Sequence, residues 1–115
     1  MSHFITRAKA KEMIAEYKEL KEKIISPIYL GRDILANCET FERSAIDRLL
    51  AQPGCVKLRI HYGMDENMQV HSILVGVDQN DNDIIPESLD AADDLIVENS
   101  IRCPTVCPSG TSLGE

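Results

Sequence analysis

Between Thr6 and Ile24 the apolar residues Ala10, Met13, Ile14, Tyr17, Leu20 and Ile24 recur at intervals of three and four, which places them on one face of an α-helix. Lys11, Glu12, Ala15, Glu19 and Glu22 cover the opposite side. Thr6 carries the side-chain oxygen that caps a first turn, and Ile5 precedes it as a hydrophobic staple. Lys21 and Lys23 suit the negative pole of the helix dipole. Ser26-Pro27 ends the pattern, and residues 26–39 read as an irregular connection. A second helix is expected from about Glu42 to Ala51, with Thr40 as its cap. Ala45, Ile46, Leu49 and Leu50 form its buried arc, and Gln52-Pro53-Gly54 stops it.

The period then falls from 3.6 to 2. Val56, Leu58, Ile60 and Tyr62 alternate with Cys55, Lys57, Arg59 and His61, the mark of a half-buried strand. Asp65-Glu66-Asn67 turns the chain into a return strand from Val70 to Val77. Residues 78–82 turn it again into a short strand, Asp83-Ile84-Ile85, which Pro86 ends or confines to an edge. A two- or four-residue connection sets Val56 against Val77, Leu58 against Val75, Ile60 against Ile73 and Tyr62 against His71. That register gathers the apolar residues of both strands on one face, where Ile60→Asp is expected to unfold the domain. It leaves Lys57, Arg59, His61, Ser72 and Leu74 on the open one, whereas a one-residue slip mixes the faces. Residues 86–94 read as a polar loop, Leu95-Ile96-Val97 as a fourth strand, and the chain from Cys103 as an extended tail. The expected architecture is α+β: two N-terminal helices packed on a three- to four-stranded antiparallel meander, with an extended C-terminal tail. All of residues 1–115 form one domain, its helical part about 6–51, its sheet part about 55–97 and its tail 101–115.

Composition changes this picture little. A chain of 115 residues with 43% hydrophobic and 27% charged side chains closes one core without staples. It has no Trp, so that core is aliphatic. The opening residues turn charged before an apolar stretch develops and no run reaches membrane length, so a cytoplasmic protein is expected. Charge says more. The net charge is −7, and residues 64–99 hold ten acidic side chains and no Lys or Arg. Such a surface repels phosphate backbones, which argues against nucleic acid as a partner; a basic protein partner and a solvated acidic face are the two alternatives it leaves.

Candidate chemistry is sparse. Cys103 and Cys107 are four residues apart, each followed by proline. Their spacing is within zinc-ligand range, but Cys38 and Cys55 form no second close pair. Three intervening residues also miss the two-residue spacing of dithiol oxidoreductases. Free thiols are therefore expected and no metal or cofactor, with Cys103 and Cys107 the runner-up metal ligands; a disulfide between these two is the further alternative and requires the segment to curl, since an extended one holds their Cα atoms about 12 Å apart. His61 and His71 fall on opposite faces in the expected register and cannot share a metal. Asp78, Asn80 and Asn82 match the first ligand positions of a calcium loop, but Asp83 stands where glycine is required and Leu89 where the bidentate Glu belongs; this is a turn. No phosphate loop, nucleotide fingerprint or nucleophile elbow is present. Lys57, Arg59 and His61 are the candidate ligand-binding residues, as a cationic group able to hold an anion.

Phe4-Ile5-Thr6, Cys38-Glu39-Thr40-Phe41, residues 50–55 (Leu-Ala-Gln-Pro-Gly-Cys), residues 59–66 (Arg-Ile-His-Tyr-Gly-Met-Asp-Glu), Val75-Gly76-Val77 and the tail Arg102-Cys103-Pro104 with Cys107-Pro108 together carry a resemblance. Over nearly its whole length the chain resembles an uncharacterised family of small bacterial proteins with this tail and no established activity. The resemblance implies a compact domain and transfers no catalytic residue. Similar sequences often have Gly where Met68 stands. The leading expectation is a non-enzymatic interaction or accessory domain that forms a homodimer or takes a protein partner. A thiol-based metal-binding protein, and a small enzyme or ligand-binding protein using the cationic sheet face, are the alternatives.

Overall fold

The computed structural model describes residues 3–85, 96–97 and 101–103. It is a mixed α+β structure. Helix α1 spans Arg7–Leu20 and continues as a 3-10 turn over Lys21–Ile24. Thr6 Oγ1 accepts from the Lys9 amide at 3.0 Å, so the cap expected from sequence is in place. A further 3-10 turn, Pro27–Tyr29, leads to the short strand β1, Cys38–Thr40. Helix α2 is Arg43–Leu50. Thr40 is thus part of a strand, and Glu42 stands at the cap without a side-chain bond.

The main antiparallel sheet contains β2 (Lys57–Met64), β3 (Val70–Val77), β4 (Asp83–Ile84) and β5 (Ile96–Val97). Strand β3 is central: β2 lies along one side of it, while β4 and β5 share the other. A second sheet joins β1 to β6, Ile101–Cys103, with Cys38 opposite Cys103. Sequence periodicity had no purchase on this pair, because three residues are too few to show an alternation. The expected loop at 86–94 and the tail beyond Cys103 lie outside the described residues.

The hairpin register differs by one residue from the expected one. Lys57 pairs with Val77, Leu58 with Gly76, Ile60 with Leu74 and His61 with Ile73. The cause is the turn. Asp65 N–H donates to Gln69 O, and Met68 N–H donates to Asp65 O, which leaves a three-residue loop of Glu66, Asn67 and Met68. Such loops pair a type I turn with a left-handed residue, and Met68 has φ 64°. Asp65 Oδ1 fixes the geometry by accepting from the Asn67 and Gln69 amides at 2.8 and 3.0 Å. The turn from β3 to β4 repeats every feature. Asp78 Oδ1 accepts from the Asn80 and Asn82 amides at 2.9 and 3.0 Å, and Asp81 takes the left-handed position with φ 67°. Both loops read Asp-x-Asn-x-Gln/Asn.

Met68 is therefore a long side chain in a conformation that suits glycine. Met68→Gly relieves that strain, partly offset by glycine's greater freedom in the unfolded chain. A net gain of about 0.5–1 kcal/mol is expected, read as a higher midpoint in urea; a lower midpoint would count against the turn assignment.

The core sits between α2 and β3. Leu49 is fully buried and packs with Leu74, flanked by Phe41, Ala45 and Ile46. Gly76 allows the end of α2 to approach the sheet: a Cβ there would lie 2.8 Å from Cys55 Sγ and 3.1 Å from Gln52 Nε2. Helix α1 buries none of its residues, while α2 packs Leu49 on Leu74, a residue that the expected register placed on the open face. Tyr17 OH bonds Ala36 O at 2.5 Å and Lys21 Nζ bonds Leu35 O at 2.8 Å, which tethers α1 to the segment before β1.

Candidate functional site

The register shift divides the side chains of β2 and β3 differently from the expected pattern. On one face Leu58, Ile60, Tyr62 and Met64 join Gly76, Leu74, Ser72 and Val70; on the other Lys57, Arg59, His61 and Gly63 join Val77, Val75, Ile73 and His71. Ile60 and Ile73 thus lie on opposite faces. Ile60 is 48% exposed, which removes the basis for expecting Ile60→Asp to unfold the domain. His61 and His71 share a face instead of opposing each other across the sheet.

The three candidate ligand-binding residues are brought together, but each already holds a carboxylate. Lys57 Nζ lies 3.2 Å from Asp81 Oδ1, and Arg59 Nη2 lies 2.8 Å from the same atom. Arg59 Nη1 meets Asp83 Oδ1 at 2.5 Å, and His61 Nε2 meets Asp83 Oδ2 at 2.8 Å. The cluster ties β2 to the β3–β4 turn and to β4, across β3. Its carboxyls titrate low: Asp83 is lowered chiefly by the His61 hydrogen bond and then by Arg59, and Asp81 chiefly by Lys57. Asp65 is lowered in the same way by His71, whose Nε2 is 2.7 Å from Asp65 Oδ2.

These shifts carry a pH prediction. A carboxyl whose folded pKa lies below its unfolded value stabilises the fold at pH above that unfolded value, and the contribution is lost as pH falls through the folded pKa. Melting temperature is therefore expected to hold above pH 5 and to fall below the ordinary carboxyl value of 3.8. Asp65→Asn and Asp83→Asn should each flatten that fall. A profile as steep in both variants as in the parent would contradict the assignment.

On the opposite face, next to α1 and β1, lies a cleft of about 540 Å³. Leu58, Ile60 and Leu74 form its apolar wall, and Tyr17, Glu39 and Ser72 supply its polar atoms. Glu39 arrives on β1 and accepts from the Ser72 amide through both carboxylate oxygens at 3.2 Å. Burial raises the Tyr17 phenol, with the positive charge of Arg102 acting against that rise. Arg102 is buried on β6 and donates through Nη2 to Asp33 O, Ile34 O and Val70 O at 3.3, 3.4 and 3.1 Å. It links the second sheet to the segment before it and to β3. No histidine lines the cleft, so the hydroxyl of Ser72 and the thiol of Cys38 have no imidazole base beside them there.

Sequence reasoning missed this cleft because its polar atoms come from three separate elements, α1, β1 and β3. The apolar pattern places Tyr17 and Tyr62 each on an apolar face. The one available signal was Glu39, a lone acid in a run otherwise free of charge from Ile34 to Phe41.

Cys103 is disulfide-bonded while Cys38 and Cys55 are free thiols. The expectation of free thiols is corrected at Cys103, which in this state offers no thiolate to a metal; Cys107 lies outside the described residues. Among the described residues no group of three or more His, Cys, Asp or Glu converges as a metal site, and no helix is long and apolar enough to cross a membrane. The Asp78 loop turns its Oδ1 inward onto backbone amides, the geometry of a turn. Comparison with protein-family models, with curated proteins and with solved structures gives no match, so the family resemblance gains no support from them.

Proposed function

We propose that this chain is a non-enzymatic interaction domain. Its working surface is the cleft between β1 and the apolar face of β2, and its partner is a basic segment carrying apolar side chains. The observation that carries the reading is the exposure of Leu58, Ile60, Tyr62 and Met64 on one strand face beside that cleft. Four neighbouring apolar side chains left open on a regular strand make a patch of the kind that marks an interaction site. Charge selects the partner's sign. Glu39 lines the cleft, and the chain as a whole carries a net charge of −7. Tyr17 brings α1 to the same cleft.

The alternatives have less behind them. An anion at Lys57, Arg59 and His61 competes with Asp81 and Asp83 for the same donors. The thiol metal class requires reduction of Cys103 first.

Backbone NMR of the full chain tests the reading, with an extended peptide alternating Lys and Leu and a Glu-Leu counterpart as probes. The Lys peptide is expected to move the Leu58, Ile60, Ser72 and Leu74 amides, less so as salt rises, and less in Glu39→Gln. No movement, or equal movement with the Glu peptide, would overturn it.

A further inference from the structure

We infer that the outer edge of β2 pairs with β2 of a second copy of this chain, forming a two-fold dimer centred on His61. This goes beyond the cleft reading, since it concerns the backbone edge and not the cleft's occupant.

The hydrogen-bond ladder sets which backbone groups are available. Asp65 and Gln69 close the turn through a backbone bond, and bonding alternates along an antiparallel pair. Lys57, Arg59, His61 and Gly63 therefore bond to β3. Leu58, Ile60, Tyr62 and Met64 aim their N–H and C=O groups outward. The Val70 amide, opposite Met64, likewise points away from β2 and bonds Ile34 O at 2.7 Å. Among the described residues no strand pairs with the outer side of β2.

An open edge of eight residues is normally blocked by proline, by a bulge or by a charge pointing into the apolar face. From Lys57 to Met64 there is no proline, and every residue has a paired partner on β3. The three cationic residues all sit on the other face, bound to Asp81 and Asp83. Within Lys57–Met64 the ladder is unbroken; just before it the Val56 amide donates to Val77 O at 2.9 Å although Lys57 is the partner of Val77, so the irregularity is confined to the start of the edge.

The strand is also complementary to itself. Antiparallel pairing about His61 sets Leu58 against Met64 of the second copy and Ile60 against its Tyr62, so each outward-bonding residue meets another. All four of these side chains are exposed and apolar. On the opposite face Arg59 meets Gly63, and Lys57 meets Asp65 of the second copy, an opposite-charge pair. The one like pair is His61 with itself, each imidazole bound to its own Asp83. A one-residue slip of the register breaks the match of backbone groups; centring on Ile60 or Tyr62 keeps that match but sets Arg59 against His61, or Leu58 against Glu66, of the second copy. A two-fold axis makes one patch serve both subunits, the commonest form of soluble oligomer.

The test is the mass of the full chain in solution together with a positional cross-link. Light scattering is expected to give twice 12.8 kDa, and Ile60→Lys to return the mass to 12.8 kDa with an unchanged far-UV spectrum. In a Cys38→Ser, Cys55→Ser background, mild oxidation should join His61→Cys chains to each other. The two central residues form a non-hydrogen-bonded pair with Cα atoms about 4.5 Å apart, within disulfide range. Arg59→Cys chains should not join, since their offset of four residues is about 14 Å. A monomer at every soluble concentration, a dimer that survives Ile60→Lys, or cross-linking at Arg59→Cys and not at His61→Cys would each overturn the inference. A monomer whose cleft amides still respond to the Lys peptide would overturn the dimer alone and leave the interaction reading standing.

Discussion

Leu49→Ala is expected to cost about 3–4 kcal/mol, the largest loss from any single truncation in the described core. Leu49 is 0% exposed and sits between α2 and Leu74, with Phe41, Ala45 and Ile46 around it. Removing its three outer carbons sacrifices their transfer free energy and leaves a cavity that two rigid elements cannot close. Helix α2 has only eight residues, too short to persist on its own propensity, so its helicity depends on this contact. Against a total stability of about 5–15 kcal/mol, the variant should show a large drop in urea midpoint and lose helical signal in the same transition. A loss below about 1 kcal/mol would mean that α2 is not docked where described.

The second large effect comes from adding atoms. Gly76→Val places a branched side chain where a single Cβ already lies 2.8 Å from Cys55 Sγ, 3.1 Å from Gln52 Nε2 and 3.5 Å from Leu49 O. The thiol can rotate, but Gln52 is held by its own bond to Leu49 O at 2.8 Å, and the carbonyl is backbone. Helix α2 must therefore lift from β3. Overpacking of this kind costs about 3 kcal/mol, and Gly76→Ala should cost less. Gly63 is a useful contrast: its Cβ would meet the Cδ1 end of Ile73 at 2.6 Å, a flexible tip that can turn away. Gly63→Ala should be milder than Gly76→Ala in the same denaturation assay; the reverse order would contradict the packing.

The contrast between what the chain discloses and what it conceals follows from distance along it. Helix α1, its Thr6 cap and the existence of strand β2 depend on neighbours within a few residues, and all three were legible; the burial of the apolar side of β2 was not, since Leu58, Ile60 and Tyr62 are exposed. So was the mixed α+β class. The register was not, because pairing by maximum apolar match assumes that the turn has an even number of loop residues. Asp65 overrides that preference: its carboxylate organises a three-residue loop, and Met68 accepts a left-handed backbone to complete it. The pattern was there to be read, since Asp-x-Asn-x-Gln/Asn occurs twice. The short strands β1 and β6 were concealed for a different reason, as each gains its identity only from the other, more than sixty residues away.

The candidate site shows the same division. Alternation alone places Lys57, Arg59 and His61 on one face, and the ladder has them there. That Asp81 and Asp83 neutralise them could not be read from alternation, since it depends on the second turn folding back across β3. The cleft depends on the register itself: a shift of one residue turned Ser72 and Leu74 from the cationic face to the side of Leu58 and Ile60.

Thermal unfolding of Ile60→Lys, read beside Leu74→Lys, tests most directly whether the apolar face of β2 is a working surface. The two residues are paired across the hairpin on one face, yet Leu74 is 4% exposed and Ile60 48%. Leu74→Lys buries an unpaired charge and is expected to unfold the domain. Ile60→Lys should remain folded, with a melting temperature lowered by less than about 8 °C. Unfolding of both variants alike would make Ile60 part of the core and contradict the proposed surface.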